Sequence, residues 1–197
     1  MKLHYSPTSP FVRKVVIAAM LRGLNDKIER VSTNPHESPA GLLADNPLSK
    51  VPALVTDEGK KLIDSLVICE YLDTLGGEPT ILPAANRIGI LNFHAIADGL
   101  LDAAVARRGS AQLPQDDGRK AFDARQKGIV DRALAVMEGG KLPPQPLSCL
   151  GGITLVCALG YLDFRYAHEP WRETHPKLAA WYEGVKATPA VAETVPA

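Results

Sequence analysis

Ser9 stands directly before Pro10, where the short apolar segment Lys2-Leu3-His4-Tyr5 and the turn Ser6-Pro7-Thr8 give way to the apolar run Phe11–Leu21. As local structure the pair is a helix start, because serine caps well and proline's fixed φ suits the first helical turn. The same placement has chemical use. A helix N-terminus favours negative charge, and a hydroxyl there can donate to an anion. Two further segments, Lys50-Val51-Pro52-Ala53-Leu54 and Asp64-Ser65, supply what a small peptide ligand would need. Val51-Pro52 reads either as a trans proline opening a strand or as a cis bond that turns the Val51 N–H and C=O outward for strand addition. Asp64-Ser65 ahead of Leu66-Val67-Ile68 is either a plain cap or a grip for an α-amino-acid end. In the second case the N–H groups and the Ser65 hydroxyl take the carboxylate, and Asp64 takes the ammonium. Together these segments suggest a site that holds a thiol as its thiolate.

Arg13 and Lys14 fall in the first helical turn, where cations oppose the dipole at ~0.3–1 kcal/mol each. They suit a site for negative charge, or they are solvated surface charges. Along the helical segment from Asn86 to Arg108, His94, Asp98 and Asp102 recur every fourth residue and so form one column, extended by Arg107 and Arg108. A polar stripe along a cleft or subunit interface fits this column. A metal site is the weaker alternative, for want of a further ligand cluster, and no metal is expected.

These residues need a scaffold. Strand signals at Leu3–Tyr5, Ile28–Val31, Val51–Val55 and Lys61–Ile63 alternate with helical ones at Phe11–Leu21, Ser38–Ala44 and Leu66–Leu75, which Gly76-Gly77 ends. That order argues for a small mixed sheet with helices packed on it. Beyond it only helical spacing remains, at Asn86–Arg108, Arg119–Glu138, Ile153–Tyr166 and Pro176–Val185. The expected fold is an α+β domain over residues 1–77, a linker over 78–85 and an all-α domain over 86–197.

The 197 residues suffice for two small domains, and 22 basic residues against 22 acidic ones create no general field for nucleic acid or anionic membrane. The longest aliphatic run, Val15 to Leu21, is too short to span a bilayer, and no apolar signal core opens the chain. Cys69, Cys149 and Cys157 lack Cys-x-x-Cys spacing and read as reduced, buried thiols of a cytoplasmic protein.

With these residues in view, the chain resembles the cytosolic glutathione transferases, in particular bacterial serine- or cysteine-type members. Three stretches carry the likeness: the strand, turn and helix from Tyr5 to Val16, the segment from Asn46 to Leu54, and Asp64-Ser65 with Ile68-Cys69-Glu70-Tyr71-Leu72. Ala158-Leu159-Gly160-Tyr161-Leu162-Asp163 and Pro176-x-Leu178-x-x-Trp181 add to it. The resemblance implies a thioredoxin-like first domain with a cis-proline at Pro52, a helical second domain and a cytoplasmic homodimer. It implies glutathione as co-substrate and a detoxifying transfer of its sulfur to a small, hydrophobic electrophile. Ser9 then faces the sulfur, with Tyr5 and Thr8 as rival hydroxyls, and Phe11 beside it. Val51, next to Pro52, pairs with the cysteinyl backbone, Asp64 and Ser65 hold the γ-glutamyl end, and Lys50 or His36 reaches the glycyl carboxylate. Asp98 or Asp102 is a candidate contact for the ammonium.

One departure stands out. The family usually places a hydroxyl residue and an aspartate three positions apart at the start of the second domain's core helix, and here those places are Cys149 and Gly152. The missing capping box costs ~1 kcal/mol unless Ser148 caps instead. A non-catalytic module of the same fold, serving as a binding or regulatory unit, is the alternative reading.

Overall fold

The computed structural model describes residues 1–196. They form two compact units, Met1–Pro83 together with the chain from Pro189 onward, and Ala84–Thr188.

The first unit runs β1 (Lys2–Tyr5), α1 (Pro10–Leu21), β2 (Glu29–Ser32), α2 (Ala40–Asp45), β3 (Ala53–Val55), β4 (Lys61–Leu62) and α3 (Ser65–Leu75). This is the element order that the periodicity predicts, with bounds shifted by at most two residues. The sheet order is β2-β1-β3-β4. β1 and β2 are parallel, while β1–β3 and β3–β4 are antiparallel. Register puts Leu3 opposite Leu54, and both are buried, as are Val15 and Ala18 of α1 and Ile68 and Leu72 of α3. Each such aliphatic side chain larger than alanine contributes ~1.5–3 kcal/mol by leaving water. Arg22, at the end of α1, lies 3.1 Å from Asp73 of α3 and donates to the carbonyls of Gly77 and Pro79. Asp73 in turn accepts the Ile81 N–H, which fastens the chain after α3 to the sheet unit.

Strand direction decides where the loops go. The C-terminal end of β1 lies beside the N-terminal end of β3, because His4 pairs with Ala53. β2 ends beside it, Tyr5 facing Ser32, and β4 runs back to the same end, Leu62 facing Leu54. The turn before α1, the loop after β2, the Val51-Pro52 segment and the start of α3 therefore all leave the sheet at one end.

The second unit contains α4 (Arg87–Ser110), α5 (Asp117–Gly139), α6 (Leu150–Arg165), α7 (Trp171–Thr174) and α8 (Pro176–Lys186). α6 is apolar around its whole circumference and buried from Leu150 to Leu162, as a core helix must be. α4 packs on both α5 and α6. By length and composition the helical stretch 84–110 is also long and apolar enough to cross a membrane, but these contacts are those of a bundle helix.

Ser148 does not cap α6: its hydroxyl donates to the Gln145 carbonyl, and Cys149 occupies the N-cap without a side-chain bond. The reason an aspartate is missing at 152 is steric. A Cβ on Gly152 would lie 2.0 Å from the Pro146 carbonyl oxygen, so the preceding loop fills the space that a capping side chain needs. Gly151 similarly lets α6 approach Phe93 and the Ile90 carbonyl of α4.

Arg107 does not extend the polar stripe expected along a cleft or subunit interface. It is buried, accepted by Glu169 at 2.6 Å and Asp123 at 2.9 Å, with its guanidinium 4.5 Å from the centre of the Tyr166 ring. Burial works against the charge, yet the bonds to Glu169 and Asp123 outweigh it and hold Arg107 protonated beyond the usual arginine range. Tyr166 donates to the Ala104 carbonyl at 2.7 Å, and burial pushes its phenol up to about 12.

Candidate functional site

Ser9 takes the N-cap of α1 with an extended backbone, φ −82° and ψ 120°, and its Oγ accepts the Val12 N–H at 3.3 Å. A hydroxyl has one proton and two lone pairs. Capping uses a lone pair and leaves the proton for another acceptor, so cap and donor roles coexist at Ser9. The helix end is sparser in donors than the sequence suggests. Pro10 has no N–H, Val12 is capped, and the Arg13 N–H bonds the Ser9 carbonyl at 3.0 Å. Phe11 is the residue of that turn whose N–H has no acceptor among the described residues, and its half-buried ring lies 5.6 Å from Lys14 Nζ. Arg13 and Lys14 are both buried, which overturns the solvated reading of these two charges.

The rival hydroxyls sit nearby. Tyr5 closes β1 under the Arg30 guanidinium, 5.5 Å from its ring centre, and Thr8 Oγ1 lies 3.5 Å from Ser6 Oγ.

The Val51–Pro52 bond is cis, and Pro52 is buried while Val51 is half-exposed. Its segment is shaped by Asn46, a buried side chain that accepts the Leu48 N–H at 2.9 Å and donates to the Lys50 carbonyl at 2.8 Å. Ser49 takes a left-handed conformation, φ 51°, and its Oγ lies 3.1 Å from the Pro35 carbonyl. That contact joins the loop bearing Lys50 to the turn bearing His36, and both side chains are exposed. One turn earlier, Asp45 ends α2 with its carboxylate 2.7 Å from Lys2 Nζ and 3.0 Å from His4 Nε2. Hydrogen bonds from Lys2 and His4 outweigh partial burial and bring the Asp45 carboxyl down to about 2.

Asp64 is the N-cap of α3, its Oδ1 accepting the Leu66 N–H at 3.0 Å, which leaves Oδ2 open. Ser65, the first residue of α3, is buried at 3% exposure. The first unit thus brings Ser9, Phe11, His36, Lys50, Val51, Pro52, Asp64 and Ser65 to loops and helix starts at one sheet end, with the N-termini of α1 and α3 both directed there.

His94, Asp98 and Asp102 lie on α4 of the second unit. The column runs from inside to outside: His94 is buried with Nδ1 2.8 Å from Thr154 Oγ1, Asp98 is half-buried and Asp102 is exposed. Among the described residues no group of three or more His, Cys, Asp or Glu side chains gathers as a metal site.

Residues 8–75 match the model of the glutathione S-transferase N-terminal domain, and residues 102–184 that of the glutathione S-transferase C-terminal domain. The chain belongs to the glutathione S-transferase family. Over its whole length it is 34% identical to the uncharacterized GST-like protein YibF of Escherichia coli K12, covering 98% of that protein. A glutathione transferase family member from Pseudomonas fluorescens Pf-5, solved with bound glutathione, superposes with a TM-score of 0.92 at 35% identity, with 100% of this chain and 98% of that one covered. A glutathione S-transferase from Methylobacillus flagellatus KT with glutathione bound gives 0.88 at 32% identity, with 100% and 99% covered. The glutathione transferase architecture, a thioredoxin-like α+β domain followed by a helical one, is the fold that the resemblance implies and the fold observed.

Proposed function

We propose that this chain is a serine-type glutathione transferase that ionises the thiol of glutathione and delivers its sulfur to a small, hydrophobic electrophile. The observation that carries the reading is the Ser9 hydroxyl at the N-cap of α1, its lone pair engaged by Val12 and its proton unspent. Glutathione bound to the Pseudomonas and Methylobacillus proteins, both alike over the full chain, supports the choice of thiol.

The energetics follow. A free thiol has a pKa of about 8.5, and lowering it by about two units needs ~2.7 kcal/mol of preference for the anion. A helix end supplies ~0.3–1 kcal/mol. A hydrogen bond to a charged sulfur adds ~1.5–3 kcal/mol, so Ser9 and the helix suffice together. Ser9 acts as a donor and not as a nucleophile, so no histidine base is required. In this reading the thiolate attacks the electrophilic carbon, the carbon–sulfur bond forms, and the leaving group departs with its electron pair.

The rest of the tripeptide fits the same sheet end. Val51 offers its backbone N–H and C=O to the cysteinyl unit. The N-terminus of α3 and Ser65 take the γ-glutamyl carboxylate, and the open oxygen of Asp64 takes the ammonium. Lys50 or His36, on adjoining loops, takes the glycyl carboxylate. Asp98 or Asp102 is a further candidate for the ammonium, from a partner subunit of a homodimer. The protein works without a metal, in the cytoplasm, as a detoxifying enzyme.

Ser9→Ala tests this. Glutathione binding should stay within a few-fold, while conjugation of an aryl halide slows by about 10- to 100-fold, the worth of one hydrogen bond to the anion. Rates unchanged beside a stability loss of about 1 kcal/mol would leave Ser9 a cap only.

A further inference from the structure

Arg13 is 4% exposed although a guanidinium is a permanent cation. Buried arginines elsewhere in the chain lie beside carboxylates, Arg22 with Asp73 and Arg107 with Asp123 and Glu169. The hydrogen-bond partners of Arg13 among the described residues are neutral. Its Nη2 donates to the Val191 carbonyl at 3.0 Å and its Nε to Thr194 Oγ1 at 3.2 Å, while its buried Nη1 has no partner among the described residues.

Both acceptors belong to the end of the chain, on and just after α9 (Pro189–Ala192). A four-residue helix does not persist alone, and its last carbonyls depend on donors from outside the helix, the Val191 carbonyl taking the Thr194 N–H only at 3.4 Å. Arg13 donates to one of them, at the end where a cation is favoured, and Thr194 donates to the Ala190 carbonyl at 2.7 Å. The main chain of Arg13 works in the other direction. Its N–H makes the first helical bond of α1, to the carbonyl of Ser9. Side chain and backbone of one residue therefore connect α9 to the N-cap. Tyr5, Ser6 and Pro7 of the turn leading to Ser9 share a cavity of about 20 Å³ with Arg13, Arg30, Glu193 and Thr194, so residues 193–194 also abut that turn.

We propose that Arg13 is a positioning residue of the thiolate site, through which the C-terminal segment 189–194 sets the acidity of the bound thiol. This rests on the reading that glutathione is ionised at Ser9. The guanidinium of Arg13, hydrogen-bonded among the described residues to neutral acceptors, favours an anion at the first turn of α1, and α9 fixes where the guanidinium stands. Loosening the connection lets the first turn and its charge shift away from the sulfur.

The test is an ultraviolet titration of glutathione bound to the full chain, for the unmodified protein, Arg13→Lys and Thr194→Val, with thermal unfolding alongside. Arg13→Lys keeps the charge and loses the fork; Thr194→Val removes the acceptor and leaves Arg13 in place. Both should raise the apparent thiol pKa by about half a unit, so that about threefold less thiolate is present at neutral pH. Lower melting temperatures with an unmoved thiol pKa would overturn the inference, since a merely structural tie moves only the first. A shift in Arg13→Lys without one in Thr194→Val would overturn the role of the C-terminal segment. If Arg13→Lys fails to fold, Thr194→Val decides alone. An unmodified protein that binds glutathione without ionising it defeats the functional reading, and this inference with it. An ionised thiol that neither variant disturbs defeats the inference alone.

Discussion

Replacing Asp45 by asparagine should cost stability at neutral pH and almost none in acid. The carboxylate ends α2 and faces Lys2 Nζ at 2.7 Å and His4 Nε2 at 3.0 Å, with Lys61 Nζ at 3.6 Å. It therefore ties the helix that leads into the Asn46–Pro52 segment to β1 and β4. Bonds from Lys2 and His4 hold its carboxyl at about 2, against about 3.9 for an unfolded chain. Because the folded value is the lower one, the unfolded chain takes up the proton first as pH falls. The stabilisation is complete above about pH 5 and fades as pH falls through about 2. The shift corresponds to ~2.5 kcal/mol, and screening of the exposed lysines reduces this to ~1–2 kcal/mol. Denaturant unfolding of both chains across this range should show a difference of that size at neutral pH that closes toward pH 2. A difference constant with pH, or none at pH 7, would refute the tie.

Two further outcomes follow from the second unit. Gly152→Asp, which restores the family's usual residue, should destabilise the protein by about 1–3 kcal/mol instead of improving the cap, because Pro146 occupies the space; denaturant midpoints check this. Arg107→Ala should cost about 1.5–3 kcal/mol through loss of its bonds to the partly exposed Glu169 and Asp123, read as a fall in melting temperature.

The sheet unit was legible because its signals are local. Alternating apolar residues mark β1, Ser9-Pro10 and Asp64-Ser65 mark the starts of α1 and α3, and Gly76 closes α3. The gathering of these segments at one sheet end depends on strand direction, which no single segment carries. The burial of Arg13 is not legible in the sequence because its partners, Val191 and Thr194, lie about 180 residues away. Arg107 escaped for the same reason: Glu169 is 62 positions on, and helical spacing alone cannot tell an inward arginine from an outward one. The missing cap of α6 was visible as Cys149 and Gly152, yet its cause, the Pro146 carbonyl, comes from the path of a loop. α7 and α9, four residues each, are shorter than any window in which periodicity can be read.

Glutathione ionisation on the unmodified protein is the most direct measurement. Absorbance of the bound thiol, followed from acid to alkaline pH, should show a transition about two units below the free value of about 8.5. A thiol that titrates at its free value, or glutathione that does not bind, contradicts a thiolate held by Ser9 at the head of α1.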